Sequence, residues 1–325
     1  MKISLHKEFW PAARPFRIAG REWTSFDAVI VEIADGDAVG RGEGIGVFYL
    51  GDTLAGLEAQ IESIADQMVA GSSRPELLRL LPPGGARNAL DCALWDLEAK
   101  RAGKRAWELA GIVPRTLETV YTIGIEATPD LMAQHAAEAS GHGLLKVKLD
   151  AHEPLERMRA IRAARPDARI VVDANQGWNF DQLQVLAPAF ADLGVQMIEQ
   201  PLPRGADAAL EGYRSPVPLG ADESCLHLGE LPDAARRYQM INIKLDKTGG
   251  LTHGIELARA ARDRGLGLMV GCMGGTSLAM APSFVLGCLV DLVDIDGPLL
   301  LKRDRLPGMK YTGGSVEPPP ATVWG

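Results

Sequence analysis

The sequence is poor in everything that marks a secreted, membrane-spanning or nucleic-acid-binding chain. It has only four cysteines, Cys92, Cys225, Cys272 and Cys288, with no CxxC pair among them. That argues against a disulfide framework or a thiolate zinc site and fits reduced thiols. Basic charge is also short: 34 Lys and Arg against 42 Asp and Glu leave a net charge of -8, and so no electropositive field for nucleic acid or anionic lipid. The opening MKISLHKEFWPAARPF carries charges and prolines where a secretory signal needs an apolar core. One long stretch, Gly265 to Val290, has no charged side chain. Gly274-Gly275-Thr276-Ser277 and Pro282 should break it into a strand, a turn and a helix rather than leave a membrane span. A cytoplasmic protein without membrane or nucleic-acid partners is expected; a homo-oligomer stays open.

At 325 residues the chain exceeds one ordinary core, so two domains or a large barrel with an appendage are expected. Residues 1 to 50 read as three antiparallel strands, with a hairpin turn at Asp35-Gly36. Helical patterns follow at 53–71 and 86–103. In the second, Ala89, Cys92, Ala93, Leu94 and Leu97 form an apolar face opposite Arg87, Asp91, Glu98 and Lys100, and Gly103 should end it. From about residue 119 strand and helix alternate. The strands are TVYTIGI, LLKVKLD, RIVVDAN, VQMIEQP, VPLGADES, MINIKLD, GLMVGC and LVDIDG, and they predict an α/β chain with a modified (β/α)8-type TIM barrel. The division expected is an α+β capping domain at 1–115, joined by the tail 298–325, over a barrel at 116–297.

Five of these apolar strands end in charge: Lys146, Lys148 and Asp150; Asp173 and Asn175; Glu199; Asp222 and Glu223; Lys244, Asp246 and Lys247. An ionised side chain buried at a strand end costs several kcal/mol unless paired or metal-bound. Barrels of this kind carry their reacting groups at the C-terminal strand ends. Asp173, Glu199 and Asp222 close three consecutive strands and can converge near the axis, where three carboxylates suit a hard divalent cation, Mg²⁺. Unrelated N-caps would explain each singly, but Arg169, the only cation in those strands, sits at the far end of its own. Lys146 and Lys148 share one side of their strand by alternation, and Lys244 lies across the barrel. Two opposed lysines flanking a metal can take a proton from the carbon beside a carboxylate and return it on either face. The cation stabilises the charge that develops, and burial beside it should lower the lysine pKa.

The motifs KVK (146–148), VVDAN (171–175), IEQP (198–201), GADES (220–224) and NIKLDKTGG (242–250) resemble the muconate-lactonising subgroup of the enolase superfamily. Within it the chain is most similar to the dipeptide epimerases, those acting on Ala-Glu included, over nearly its whole length. The resemblance implies one Mg²⁺ per subunit on Asp173, Glu199 and Asp222, with Lys148 and Lys244 as acid/base pair and Lys146 assisting electrostatically. It implies epimerisation of the C-terminal residue of a dipeptide by two-base 1,1-proton transfer through a metal-stabilised enediolate. Asp294 and Asp296 would hold the substrate's free amino terminus, and Cys272 and Met273 would touch the substrate; no histidine is placed to make Cys272 a nucleophile. An N-acyl amino acid would leave Asp294 and Asp296 unpaired, and structural aspartates at the closing turn are the plain alternative. Where relatives acting on Ala-Glu carry an arginine, counting reaches Trp23, with Arg17 and Arg21 close enough to restore a cation if the register slips. Trp23, Phe48 and Tyr49 would give a pocket for a neutral, hydrophobic side chain, or would simply pack cap on barrel. N-acyl amino acid racemase, cycloisomerase, dehydratase, Schiff-base aldolase and non-catalytic binding protein are the other readings.

Overall fold

A computed structural model describes residues 1–325. The chain opens with an antiparallel sheet, β1 (Lys2–Ile18), β2 (Arg21–Asp35) and β3 (Ala38–Gly44). Asp35 faces Ala38 across the hairpin, and Gly36 takes the left-handed φ of 59° that the turn needs. β1 leaves its register with β2 between Pro11 and Phe16, where Ala12 bridges instead to Leu301. The helix Gly85–Ala102 lies on β3 because Gly40, Gly42 and Gly44 bare one face of that strand. A Cβ at these glycines would come within 2.1, 2.0 and 2.3 Å of the helix carbonyl oxygens of Ala93, Ala89 and Gly85. Gly103, at φ 61°, ends the helix as expected.

Two details differ from the sequence reading. The 53–71 pattern is two helices, Leu54–Glu62 and Ala65–Val69, parted where Ser63 Oγ donates back to the Gln60 carbonyl. And the Gly85–Ala102 helix has no solvated charged face at Arg87 and Asp91, which are buried with the apolar residues. Arg87 donates to the carbonyls of Gly249 (3.1 Å) and Thr248 (2.6 Å), and Asp91 accepts from Thr252 N (3.0 Å) and Oγ1 (2.6 Å). Polar residues that read as a surface stripe therefore fasten the helix to the barrel.

After the short β4 (Leu117–Glu118) come eight parallel strands in sequence order: β5 (Tyr121–Ile123), β6 (Leu144–Lys148), β7 (Arg169–Asp173), β8 (Val195–Glu199), β9 (Leu219–Ala221), β10 (Met240–Lys244), β11 (Gly267–Gly271) and β12 (Leu292–Val293). Val120 N donates to Val293 O at 2.9 Å and Ile295 N to Thr119 Oγ1 at 3.0 Å, bringing the last strand back to the first. All eight coincide with predicted strands. Two units are irregular: only a 3₁₀ turn (Ala208–Leu210) joins β8 to β9, and β12 is followed by 3₁₀ rather than an α-helix. Pro282 does not break the last helix, which runs through it from Ser277 to Gly287, wholly buried; packing there outweighs one lost backbone hydrogen bond. No helix is long and apolar enough to cross a membrane.

The tail pairs β13 (Tyr311–Thr312) with β14 (Ser315–Val316), which pairs with β4. It then returns to the first module, where buried Trp324 donates from Nε1 to Cys92 O at 3.0 Å and Gly325 N donates to Asp96 at 2.7 Å.

Candidate active site

Alternation along the strands sorts the barrel into layers. Leu145, Val147, Ile170, Val172, Ile198, Ile241, Ile243 and Val270 point outward into the main core under the helices. Inward, Val120, Leu144, Val171, Met197 and Met269 form a separate apolar plug at the bottom. Above the plug every inward position is polar or glycine: Thr122, Lys146, Asp173, Glu199, Asn242 and Gly271, with Asp294 just past β12. Lys148 and Lys244 stand at the mouth. Most of the charges read along the sequence as strand ends thus join one contiguous polar site; Asp150 does not, since its carboxylate turns back to accept from His152 N at 2.8 Å, and Asp246 turns to the cap.

Asp173, Glu199 and Asp222 each offer a carboxylate oxygen within 4.8 Å of the others, all fully buried. Lys146 Nζ lies beneath, 2.7 Å from Glu199, 2.8 Å from Asp294 and 3.1 Å from Asp173. Lys148 Nζ donates to Asp173 Oδ2 at 2.6 Å and Lys244 Nζ to Asp222 Oδ2 at 2.7 Å. β6 and β10 are second and sixth of eight strands, so the two mouth lysines stand on facing walls.

The electrostatics follow from crowding charge into a dry space. Burial alone would raise Asp173, but Lys148 and Lys146 hold it down at about 2. Asp222 is likewise pulled below the usual carboxylate range against its burial, by Lys244 and Lys247. Glu199 goes the other way, raised by burial and by Asp173. Among the lysines, burial would lower Lys146 and Lys244, yet Asp294 and Asp222 respectively outweigh it and hold both above the ordinary value.

Several residues that build this arrangement were given no role in the sequence reading. Lys247 donates to Asp222 Oδ1 (2.7 Å), Asp222 O (2.6 Å) and Asn242 O (2.7 Å), locking Asp222 from behind. Asn242 Nδ2 holds Glu199 Oε1 at 2.6 Å. Gln200 accepts from the backbone N–H of Asp222 and Ser224, both at 3.0 Å. Asn175, Gln176 and Gln200 all take left-handed φ (41°, 67° and 37°), backbone strain gathered at the strand ends where a site lies. Asp246 accepts from Ile45 N and Gly46 N, both at 3.0 Å, tying β10 to the cap loop. In the sequence only the motif charges Lys247 and Asp246 signalled any of this, and alternation gave them no direction because they lie beyond the strand.

Above the floor is a cavity of about 580 Å³, partly open to solvent, which brings together Lys146, Lys148, Lys244, Asp222, Asp294, Asp296, Cys272 and Met273 from the barrel with Trp23, Phe48 and Tyr49 from the cap. Asp173 and Glu199 lie under it. Phe16, Ile18 and Phe26 complete its apolar wall. Trp23 meets Phe48 edge-on at 5.0 Å and stacks on Phe26, and Phe48 meets Tyr49 edge-on at 5.1 Å. The slipped-register arginines do not restore a cation: Arg17 pairs with Glu22, and Arg21 rests on the Trp23 and Phe48 rings at 4.8 and 4.5 Å without lining the cavity. The Tyr49 hydroxyl and Glu223 Oε2, both buried, have no hydrogen-bond partner. One expectation is corrected at the eighth strand: Asp294 and Asp296 are not left unpaired in the absence of a substrate amine, since Lys146 holds the first and Thr122 N donates to the second at 2.7 Å. Burial and Asp294 push Asp296 up to about 7, and burial pushes the Cys272 thiol far up, against a nucleophilic role.

The floor suits a hard cation. Its donors are all carboxylate oxygens, and Glu199 Oε2 has no hydrogen bond although Lys146 Nζ is 2.7 Å away, which leaves a buried lone pair for an ion.

Comparison with known proteins agrees with this barrel and its cap. Residues 1–111 match the mandelate racemase / muconate lactonizing enzyme N-terminal domain, and residues 131–320 match the enolase C-terminal domain-like family. The chain belongs to the enolase superfamily, in the mandelate racemase / muconate-lactonising group. It is 45% identical to the L-Ala-D/L-Glu epimerase of Escherichia coli K12, over 97% of this chain and 98% of that one. It is 40% identical to an N-acetyl-D-glutamate racemase from a Pseudoalteromonas species, over 91% and 95%. Among solved structures, an Agrobacterium tumefaciens enolase family member with bound sodium and L-Ala-L-Glu superposes with a TM-score of 0.97 at 44% identity, covering 99% of both chains. The Enterococcus faecalis dipeptide epimerase with Mg and L-Leu-L-Tyr gives 0.89 at 27%, covering 97% of this chain and 96% of that one.

Proposed function

We propose that this chain is a Mg²⁺-dependent dipeptide epimerase that inverts the α-carbon of the C-terminal residue, with a neutral or hydrophobic side chain there. The observation carrying this reading is the pair of lysines on facing walls, each bonded to a different member of one buried carboxylate triad. Asp173, Glu199 and Asp222 would hold the cation. When bound it would supply positive charge to a substrate carboxylate as negative charge develops there. Lys148 and Lys244 then address opposite faces of the α-carbon: the neutral amine removes the proton and the ammonium opposite delivers one, which inverts the centre. Lys146, with its Nζ within 3.1 Å of three carboxylates, stays charged and contributes field rather than protons. Asp294 and Asp296 take the amino terminus, while Cys272, Met273 and Tyr49 border the substrate. Trp23 and Phe48 offer the side chain an apolar wall, and the L-Leu-L-Tyr bound by the Enterococcus faecalis protein is a dipeptide of that kind.

This reading divides the chain into a cap of residues 1–115 with the tail 298–325, over a barrel of 116–297; the hydrogen bonds of Trp324 and Gly325 to the Gly85–Ala102 helix support that grouping. The test is α-proton exchange with solvent deuterium across a dipeptide library with Mg²⁺. Exchange confined to C-terminal residues with uncharged side chains is expected, and none with any dipeptide overturns the reading. A second reading, N-acyl amino acid racemase, gains from the partners Asp294 and Asp296 already have and from the Pseudoalteromonas relative. Paired substrates with free and acylated amino groups separate the two.

A further inference from the structure

A second cavity of about 780 Å³ opens beside the first and shares three walls with it, Phe16, Thr122 and Leu300. Its existence traces to the fold. β1 gives up its pairing with β2 between Pro11 and Phe16, so Ala13, Arg14 and Pro15 stand away from the cap sheet and face the first barrel strand across a gap. The Ala12–Leu301 bridge, with Lys302 N donating to Pro11 O at 2.8 Å, keeps the gap's upper edge in place. Ile123 and Leu299 give it an apolar flank, while His135 and Glu126, 3.2 Å apart, mark its outer polar end with Arg14. The passage between the cavities lies at Thr122, whose backbone N–H is the one bonded to Asp296.

Resting on the epimerase reading above, we infer that this second cavity is the subsite for the side chain of the substrate's first residue. An amino terminus held at Asp294 and Asp296 puts the first α-carbon at the Thr122 passage. The apolar cavity around Phe48 and Trp23 is then left to the second residue, and the first side chain has the gap behind Phe16 and Leu300. The gap is larger than an alanine methyl requires and apolar near the passage. The substrate class it fits is a dipeptide with a bulky aliphatic or aromatic first residue, whose far end reaches His135 and Glu126.

The experiment measures kcat/KM for a series in which the second residue is fixed as leucine and the first is glycine, alanine, leucine, phenylalanine or tryptophan. The wild type and two variants, Leu300→Trp and Ala13→Trp, are compared. The wild type should turn over the bulky members at least as well as the alanine one. Filling the passage or the outer wall should lower the ratio of bulky to glycine substrate by roughly tenfold or more, the discrimination that a lost hydrophobic subsite gives. Because the ratio is taken within each variant, a general loss of activity does not imitate the effect. A wild type that rejects first residues larger than alanine, or ratios unmoved in both variants, overturns the subsite while leaving the epimerase reading intact. Absence of turnover with every dipeptide overturns both.

Discussion

The floor of the cavity and its lid are made of opposite materials. Lys146, Lys148, Asp173, Glu199 and Lys244 project from central strands whose backbones are fixed on both sides by neighbouring strands. Trp23, Phe48 and Tyr49 project from an edge hairpin and a 3₁₀ turn, held by ring contacts and by the Asp246 bonds to Ile45 and Gly46. Charge that must stay aligned to a fraction of an ångström is placed where the ladder allows no drift, and shape recognition where sequence can change without disturbing it. On the function proposed above, proton transfer belongs to the barrel and choice of the C-terminal side chain to the cap.

The sharpest way to break that division is at the lysines. Lys148→Ala and Lys244→Ala should each lower epimerisation by roughly 10²- to 10⁴-fold, the usual worth of a positioned acid or base. Each single variant should still exchange the α-proton of the enantiomer handled by the lysine that remains, and the double variant neither; stereospecific exchange in D₂O reads this. Equal loss with both enantiomers in either single variant would contradict two facing bases. Next is the floor's support. Lys247→Met removes the amine behind Asp222 without touching the cavity, and should weaken Mg²⁺ binding about 10- to 100-fold by calorimetry. An unchanged affinity would leave Lys247 a purely structural residue.

In the lid, Trp23→Arg should move selectivity toward acidic C-terminal residues by about tenfold with little change in α-proton chemistry. A fall in turnover for every substrate alike would put Trp23 in packing only. The smallest effect belongs to the seam between the two regions. Burial pushes Asp91 up to about 6 from its ordinary 3.8, so the folded chain binds this proton more tightly than the unfolded chain. Stability should therefore decline as pH rises through that window, by on the order of 1–3 kcal/mol, and level off above it. Asp91→Asn should flatten this decline in urea midpoints while leaving epimerisation unaltered. A slope equal to the wild type's would place the titration elsewhere.

Most of the barrel was legible because each buried parallel strand announces itself as a short apolar run, and eight such runs in rhythm with helices admit few topologies. The floor was legible for the same reason: charge inside such a run has no ordinary explanation. What escaped was whatever depends on direction outside a strand. Lys247 and Asp246 follow β10 within a single helical turn, so alternation could not say where they point. Arg87 and Asp91 fall on the charged side of an amphipathic pattern, and only the barrel's arrival against that side makes them interior.

By itself the sequence determined the order and position of the eight strands, the shared side of Lys146 and Lys148, and the absence of an arginine at position 23. Each of these follows from local periodicity. Tertiary structure alone decided that Arg21 lies across the Trp23 and Phe48 rings outside the cavity, that Asp294 and Asp296 already have partners, and that β1 parts from β2 to open a second cavity. The last two of these turn on contacts between segments more than a hundred residues apart, such as Asp294 with Lys146 and Ala12 with Leu301, and no periodicity in either segment encodes its partner.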